Sequence, residues 1–139
     1  EDVWLGWQAR RTGADVRFVP DALVHHAVFP RRGPEWVAER ARLRFFPHLV
    51  RRVPELRDTL LFRRLFLSRR SAAFDLALLG AIVALRRAAA LLAALPYARL
   101  LLRDARGYGP RPALARALAD TVALAALVAG SVRAGRAVL

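Results

Sequence analysis

Two pairs of residues near the start of the chain carry side chains that could do chemistry. Glu1 and Asp2 are adjacent carboxylates, and a carboxylate can act as a general base when a partly desolvated setting raises its pKa. His25 and His26 fall in a β-prone run, so their rings are expected to point to opposite faces and at most one can serve a given site. A histidine beside carboxylates could bind a divalent cation.

Each of these groups also has a structural explanation. A carboxylate pair at the start of a helix complements the helix dipole, and a histidine on a strand is more often a structural or surface residue than a ligand. Arginine doublets are typical of solvated or membrane-facing charge, although Arg31 and Arg32 could contact a substrate diphosphate. The chain has no cysteine, which excludes disulfides and thiolate zinc sites, and it contains no HExxH motif or glycine-rich phosphate loop.

The residue pattern predicts short elements that would position these side chains. Residues 2–12 fit a helix because their apolar side chains recur at helical spacings, and Gly13 suits its end. Residues 15–19 alternate polar and apolar side chains, which predicts a half-buried strand that Pro20 ends. Residues 22–29 form a second β-prone run. The pattern therefore predicts a helix followed by one short β pair near residues 15–29.

The remainder of the chain is first rich in arginine and then in aliphatic residues. A Pro and Gly cluster at 30–34 marks a break, and the helical pattern after it predicts breaks or kinks near Pro47 and Pro54. From residue 71 onward Ala and Leu dominate, but no charge-free run approaches the roughly 20 residues that cross a bilayer. We therefore expect helices that lie in one leaflet, with a soluble helical bundle as the alternative.

Composition indicates an anionic and apolar partner. The 139 residues carry a formal net charge of +13, and every basic residue is arginine. Because 56% of the residues are hydrophobic and few aromatic side chains lie among the arginines, an anionic membrane surface is the expected partner and nucleic acid is not. The absence of methionine leads us to expect the C-terminal piece of a longer protein.

A specific pattern emerges when the first residues are taken together. It reads Glu1-Asp2-x-x-Leu5-Gly6-x-x-x-Arg10-x-x-Gly13, then Val16-Arg17-Phe18-Val19-Pro20-x-Ala22-x-Val24-x-His26. This pattern resembles the C-terminal half of the catalytic domain of family-2 glycosyltransferases, where ED-x-x-L opens a helix, a glycine ends it and a strand leads through P-x-A-x-V-x-H. The resemblance covers roughly residues 1–50, and the basic, hydrophobic tail looks like the membrane-associated extensions of many bacterial members.

The resemblance implies an α/β parent fold of the GT-A type, of which this chain is a mostly α-helical C-terminal fragment. It implies an inverting transfer in which Asp2 is the general base and Glu1 supports the site. It further implies that His26, with His25 as the fallback, helps to bind the divalent metal, Mg²⁺ or Mn²⁺, of the intact parent. Arg31 and Arg32 are then candidate substrate-binding residues, and the implied partners are a nucleotide-sugar donor and a lipid-linked or glycan acceptor.

The chain also departs from the family pattern. The donor-binding half with its D-x-D motif is missing, so that no nucleotide-binding residue is assigned and the chain alone is expected to be inactive. The Q-x-x-R-W motif of processive enzymes is absent as well. We expect residues 1–50 to belong to the acceptor side of the catalytic domain, 51–70 to form arginine-rich juxtamembrane helices and 71–139 to form membrane-associated helices.

The expected function is therefore transfer of a sugar to a lipid-linked or cell-envelope acceptor at the cytoplasmic face of the cell membrane. The alternative is a non-enzymatic, basic and amphipathic membrane-binding module, in which Glu1 and Asp2 only stabilise a helix start.

Overall fold

The chain divides into two compact units, Glu1–Arg31 and Arg32–Leu139. The computed structural model describes residues 2–25 and 32–139, with Asp2 described by its backbone alone. Within these residues all regular elements are helices, and a single isolated bridge joins Phe62 and Phe66.

The first unit begins with helix α1, Asp2–Arg11. Gly13 ends it in the left-handed conformation, with φ of 83°, and its N–H donates to the carbonyl of Arg10 at 3.0 Å. The N–H of Ala14 donates to the carbonyl of Ala9 at 3.0 Å. These two bonds form a Schellman motif, which satisfies carbonyls that the helix end would otherwise leave without a donor. The predicted helix and its glycine end are both present.

The predicted β pair is wrong, and with it the α/β class expected for this chain. Residues 14–19 and 22–25 form no regular element and pair with no strand among the described residues. Residues 26–29 of the second β-prone run lie outside the described residues. A strand forms only when a neighbouring strand takes up its N–H and carbonyl groups. The alternation at 15–19 has no core to face either, because Phe18 is 92% exposed. The described chain is all-helical.

The second unit contains six α-helices and two 3₁₀ helices among its described residues. In chain order they are α2 (Gly33–Glu39), a first 3₁₀ helix (Arg40–Phe45), α3 (Phe46–Arg52), α4 (Leu56–Thr59), α5 (Arg69–Ala84), a second 3₁₀ helix (Ala88–Ala94), α6 (Leu95–Tyr108) and α7 (Pro110–Ala134).

Prolines and a glycine set several of these boundaries. Pro47 lies in the first turn of α3, where its missing N–H costs no helical hydrogen bond, and Pro54 follows the end of the same helix. Gly109, with φ of 89°, forms the short connection between α6 and α7. The breaks predicted near both prolines are therefore present.

Helix α7 is the element around which the second unit packs. It contacts α2, the first 3₁₀ helix, α3, α5 and α6, and its Leu127 is fully buried. The end of the chain returns to this core, since Val138 is also fully buried. The Ser131 hydroxyl donates to the carbonyl of Val138 and accepts from its N–H, both at 2.9 Å. The C-terminal residues are thus tied to α7 by paired hydrogen bonds.

Helix α7 is also long and apolar enough to cross a membrane. No other helix among the described residues meets both conditions. The charge-free runs in the sequence did not indicate this length, because Arg116 and Asp120 interrupt the apolar residues. Both side chains are paired inside the second unit, so these charges do not break the helix. By length and composition α7 fits a membrane span, whereas its packing also fits the central helix of a bundle.

Close approach of α7 to the first 3₁₀ helix requires a glycine. A Cβ at Gly130 would overlap the carbonyl oxygen of Arg44 and lie 2.8 Å from its carbonyl carbon. We expect Gly130→Ala to lower the free energy of unfolding by about 2–3 kcal/mol, because the backbone of Arg44 must shift. Gly107→Ala is the matched control: Gly107 lies in α6 with no atom near its Cβ direction, so alanine should stabilise by about 0.5–1 kcal/mol. Chemical denaturation of the two variants should therefore give effects of opposite sign.

Candidate functional site

The sequence-predicted site is only partly within the described residues. Asp2 lies in helix α1, in the stretch predicted to be helical, but its side chain is not described. His25 is exposed and follows the turn at residues 20–21. Arg32 is exposed at the start of α2, where its backbone N–H donates to Glu35 Oε2 at 3.2 Å. The remaining predicted residues, Glu1, His26 and Arg31, lie outside the described residues.

Metal binding is not assigned to any described cluster of side chains. In residues 2–25 and 32–139, no group of three or more His, Asp and Glu residues could hold a cation. His25, the fallback ligand, therefore has no described carboxylate set beside it. The cation expected from the resemblance stays a prediction that depends on His26.

A different polar cluster lies within the second unit and is centred on Arg70, at the start of α5. Arg70 Nη1 donates to Asp104 Oδ2 at 2.6 Å and Arg70 Nε donates to Asp120 Oδ2 at 2.8 Å. Asp104 comes from α6 and Asp120 from α7, and the side chain of Asp104 is only 2% exposed. One guanidinium therefore joins three helices through charge-assisted hydrogen bonds.

Two further side chains complete this cluster. The Tyr97 hydroxyl donates to Asp120 Oδ2 at 2.8 Å, and Arg116 Nη1 donates to Asp104 Oδ1 at 2.9 Å. The Tyr97 ring also packs edge-on against Phe74, with ring centroids 5.1 Å apart. The charges of the two aspartates and the two arginines cancel. This pairing offsets the cost of removing the four charged groups partly from water.

Electrostatics within the cluster follows from burial and pairing. Burial alone would raise the pKa of Asp104, but the hydrogen bond and charge of Arg70, assisted by Arg116, lower the pKa overall. Burial would lower the pKa of Arg70, yet its bonds to Asp104 and Asp120 raise it. The pKa of the Tyr97 hydroxyl is raised by burial first and then by its bond to Asp120. These groups are therefore locked in one protonation state near neutral pH.

Asp75 is the group in this region that can change its charge near neutral pH. Both of its carboxylate oxygens are buried and have no hydrogen-bond partner among the described residues. The Nη2 atom of Arg70 is likewise buried without such a partner. Burial, followed by repulsion from Asp120, raises the pKa of Asp75 to about 6. A cavity of about 230 Å³, lined in part by Trp36 and Phe74, lies beside these groups.

The raised pKa of Asp75 predicts a pH-dependent stability. Because the folded protein binds the Asp75 proton more tightly than the unfolded chain does, the free energy of unfolding should fall as pH rises from about 4 to about 6 and level off above that. Asp75→Asn should remove this slope and raise the free energy of unfolding near neutral pH by about 1 kcal/mol, since solvent reaching the cavity reduces the full charge penalty. Chemical denaturation across this pH range measures both effects.

The matched control for Asp75 is Asp58→Asn. Asp58 is exposed and pairs with Arg64 Nε at 3.0 Å, so the loss of its charge should change stability by less than about 1 kcal/mol. A slope that persists in Asp75→Asn would assign the pH dependence to another group.

The Arg70 cluster was not identified from the sequence, although a signal for it exists. From residue 71 to the end of the chain there are three acidic residues, Asp75, Asp104 and Asp120, each within an aliphatic stretch. An isolated carboxylate on an apolar helix is expected to be paired if it is buried. That rule predicts three paired carboxylates, which is correct for Asp104 and Asp120 and wrong for Asp75. It also does not indicate which of the many arginines is the partner.

Comparisons of the chain with protein-family models, with curated proteins and with solved structures found no match. The resemblance to family-2 glycosyltransferases therefore rests on the residue pattern of the sequence alone.

Proposed function

We propose that this chain is the C-terminal part of a membrane-associated, inverting glycosyltransferase. It would transfer a sugar from a nucleotide-sugar donor to a lipid-linked or cell-envelope acceptor at the cytoplasmic face of the cell membrane. The observation that carries the proposal is the residue pattern from Glu1 to His26. Helix α1 is consistent with it, because Asp2–Arg11 is helical and the helix closes at Gly13 through a glycine-dependent end.

In this proposal Asp2 is the catalytic base. The acceptor hydroxyl oxygen attacks the anomeric carbon of the donor sugar, and its proton passes to the Asp2 carboxylate. The bond between the anomeric carbon and the diphosphate oxygen breaks, so that a nucleoside diphosphate leaves. The N-terminal end of α1 favours a charged carboxylate, which keeps Asp2 ready to accept the proton. Glu1 supports this site, and a divalent cation held with His26 would neutralise charge on the diphosphate.

This proposal requires a donor-binding half that lies outside residues 1–139 of the polypeptide. Residues 1–139 contain no D-x-D motif and no glycine-rich phosphate loop. The 139 residues alone are therefore proposed to be inactive, and a test must use the native polypeptide.

A second candidate function is a non-enzymatic membrane-binding module. It is favoured by the exposed apolar side chains of the second unit, among them Leu79, Ile82 and Leu92, on a chain with a net charge of +13. Apolar surface beside basic residues is typical of proteins that lie on an anionic bilayer. In this candidate function Asp2 contributes only a favourable charge at a helix start.

The native polypeptide of the source cells decides between the two functions. An antibody against residues 31–70 would capture it, and its mass would be measured before it is incubated with radiolabelled nucleotide sugars and a membrane-lipid extract. If the enzymatic proposal is correct, the captured polypeptide should be roughly twice the size of these 139 residues or larger, and it should transfer label to lipid or glycan. A polypeptide of this size that transfers no label from any donor would leave the membrane-binding module as the function.

A further inference from the structure

A helical hairpin is part of the second unit. It is formed by the second half of α5 and the second 3₁₀ helix, residues 76–94, and we call it the apolar hairpin. Its two arms touch at Gly80, where an added Cβ would lie 2.7 Å from the carbonyl oxygen of Ala90 and 2.8 Å from Ala93 Cβ. The chain reverses through a turn at residues 85–87. The glycine therefore allows the arms to pack closely, with no large side chain between them.

The outer surface of the apolar hairpin is made of large aliphatic side chains. Leu78, Ile82 and Leu85 lie on the side of the first arm opposite Gly80 by helical periodicity, and all three are exposed, with Leu85 at 87%. Leu91 and Leu92 of the second arm are more than half exposed. Single exposed leucines are common in soluble proteins, but a contiguous apolar patch indicates a surface that binds something.

Charge on and around the apolar hairpin has one sign. Arg86 and Arg87 are exposed at the turn, and Arg99 and Arg103 follow in α6. No acidic residue occurs between Asp75 and Asp104. A second copy of this surface would bring two arginine doublets together, which disfavours self-association. An anionic partner instead neutralises the arginines while the aliphatic side chains leave water.

We propose that the apolar hairpin docks on an anionic lipid bilayer. Ile82 and Leu85 enter the boundary between headgroups and acyl chains, while Arg86 and Arg87 bind lipid phosphates. This inference rests on the membrane location proposed above and not on the sugar transfer. It is separable from that reaction, because lipid binding is measured without a sugar donor.

Vesicle co-sedimentation of the full 139-residue chain tests the proposal. Vesicles of phosphatidylglycerol and phosphatidylcholine should bind the chain, pure phosphatidylcholine should bind it much more weakly, and salt should weaken the first interaction. Arg86→Gln with Arg87→Gln should reduce affinity for the anionic vesicles about thirtyfold. Ile82→Gln with Leu85→Gln should reduce it at least about tenfold.

Leu114→Gln with Leu118→Gln is the matched control, since both leucines are more than half exposed but lie on α7 outside the hairpin. Circular dichroism of each variant checks that its helices remain. Equal loss of binding in the hairpin and control pairs would overturn the assignment to the hairpin. Equal binding to both vesicle types would overturn the role of the arginines.

A fluorescent label measures insertion directly. The chain has no cysteine, so Leu85→Cys and Leu114→Cys each accept one environment-sensitive fluorophore. The label at position 85 should shift to the blue and brighten with anionic vesicles, whereas the label at position 114 should change little. No change at position 85 on vesicles that bind the chain would contradict insertion. A chain that binds no vesicles, but forms a dimer that Ile82→Gln with Leu85→Gln dissociates, would assign this face to a second copy instead.

Discussion

Replacing Asp2 by asparagine is expected to lower the rate of sugar transfer by the native polypeptide about 100- to 10,000-fold. A positioned general base contributes about this factor to a reaction in which a hydroxyl must lose its proton. Asparagine has nearly the same shape but cannot accept the proton, so acceptor binding should change little while the turnover number falls. The measurement is transfer of radiolabelled sugar under saturating donor and acceptor.

The matched control for this result is Asp21→Asn. Asp21 lies in the turn after Pro20 and is exposed, and the resemblance assigns it no role in the reaction. If Asp2 only stabilises the start of α1, its replacement should cost stability by at most about 1 kcal/mol and leave transfer close to that of Asp21→Asn. Similar activities of the two variants would therefore disprove the role of Asp2 as the base.

Local features of the fold were predictable from the sequence because their causes are local. Gly13 is needed where a helix closes in the left-handed conformation, and Pro47 cannot continue a helix begun before it. Each of these residues determines its own backbone, whatever the rest of the chain does.

Features that depend on distant residues were not predictable in the same way. The alternation at 15–19 is typical of a strand, but these five residues do not reveal whether a neighbouring strand is present to pair with them. The role of Gly130 is invisible for a similar reason, since it depends on where Arg44 lies. Of the candidate site, the sequence indicates which residues could react, and the helix at Asp2 is confirmed, but the Arg70 cluster required three helices to be placed together.

The arginine doublet at residues 69–70 illustrates this limit. Both residues open α5 and have the same side chain, and both resemble the other doublets of the chain. Arg69 is exposed and lies against the Phe62 ring, with its guanidinium carbon 5.6 Å from the ring centroid. Arg70 instead joins Asp104 and Asp120. Their different roles arise from the direction in which each side chain leaves the helix, and this difference can be measured.

Replacing Arg70 by methionine is expected to lower the free energy of unfolding by about 2–4 kcal/mol. Removal of one partner from a buried ion pair leaves the other charge buried, which costs more than the pair itself contributes. Asp104 would still pair with Arg116 at 2.9 Å, and Arg70 is partly exposed. The decrease in the free energy of unfolding should therefore be no larger than is usual when one partner of a buried ion pair is removed. Arg69→Met should change stability by less than about 0.5 kcal/mol. Chemical denaturation of the two variants compares adjacent arginines in one helix.

A double variant separates the charge effect from lost packing. If the unpaired Asp104 carboxylate causes the loss, Arg70→Met combined with Asp104→Leu should be more stable than Arg70→Met alone, because no carboxylate then stays buried at that position. If the loss arises from the missing arginine stem, the second substitution should destabilise further. Equal stability of Arg70→Met and Arg69→Met would show that the cluster does not hold α5, α6 and α7 together.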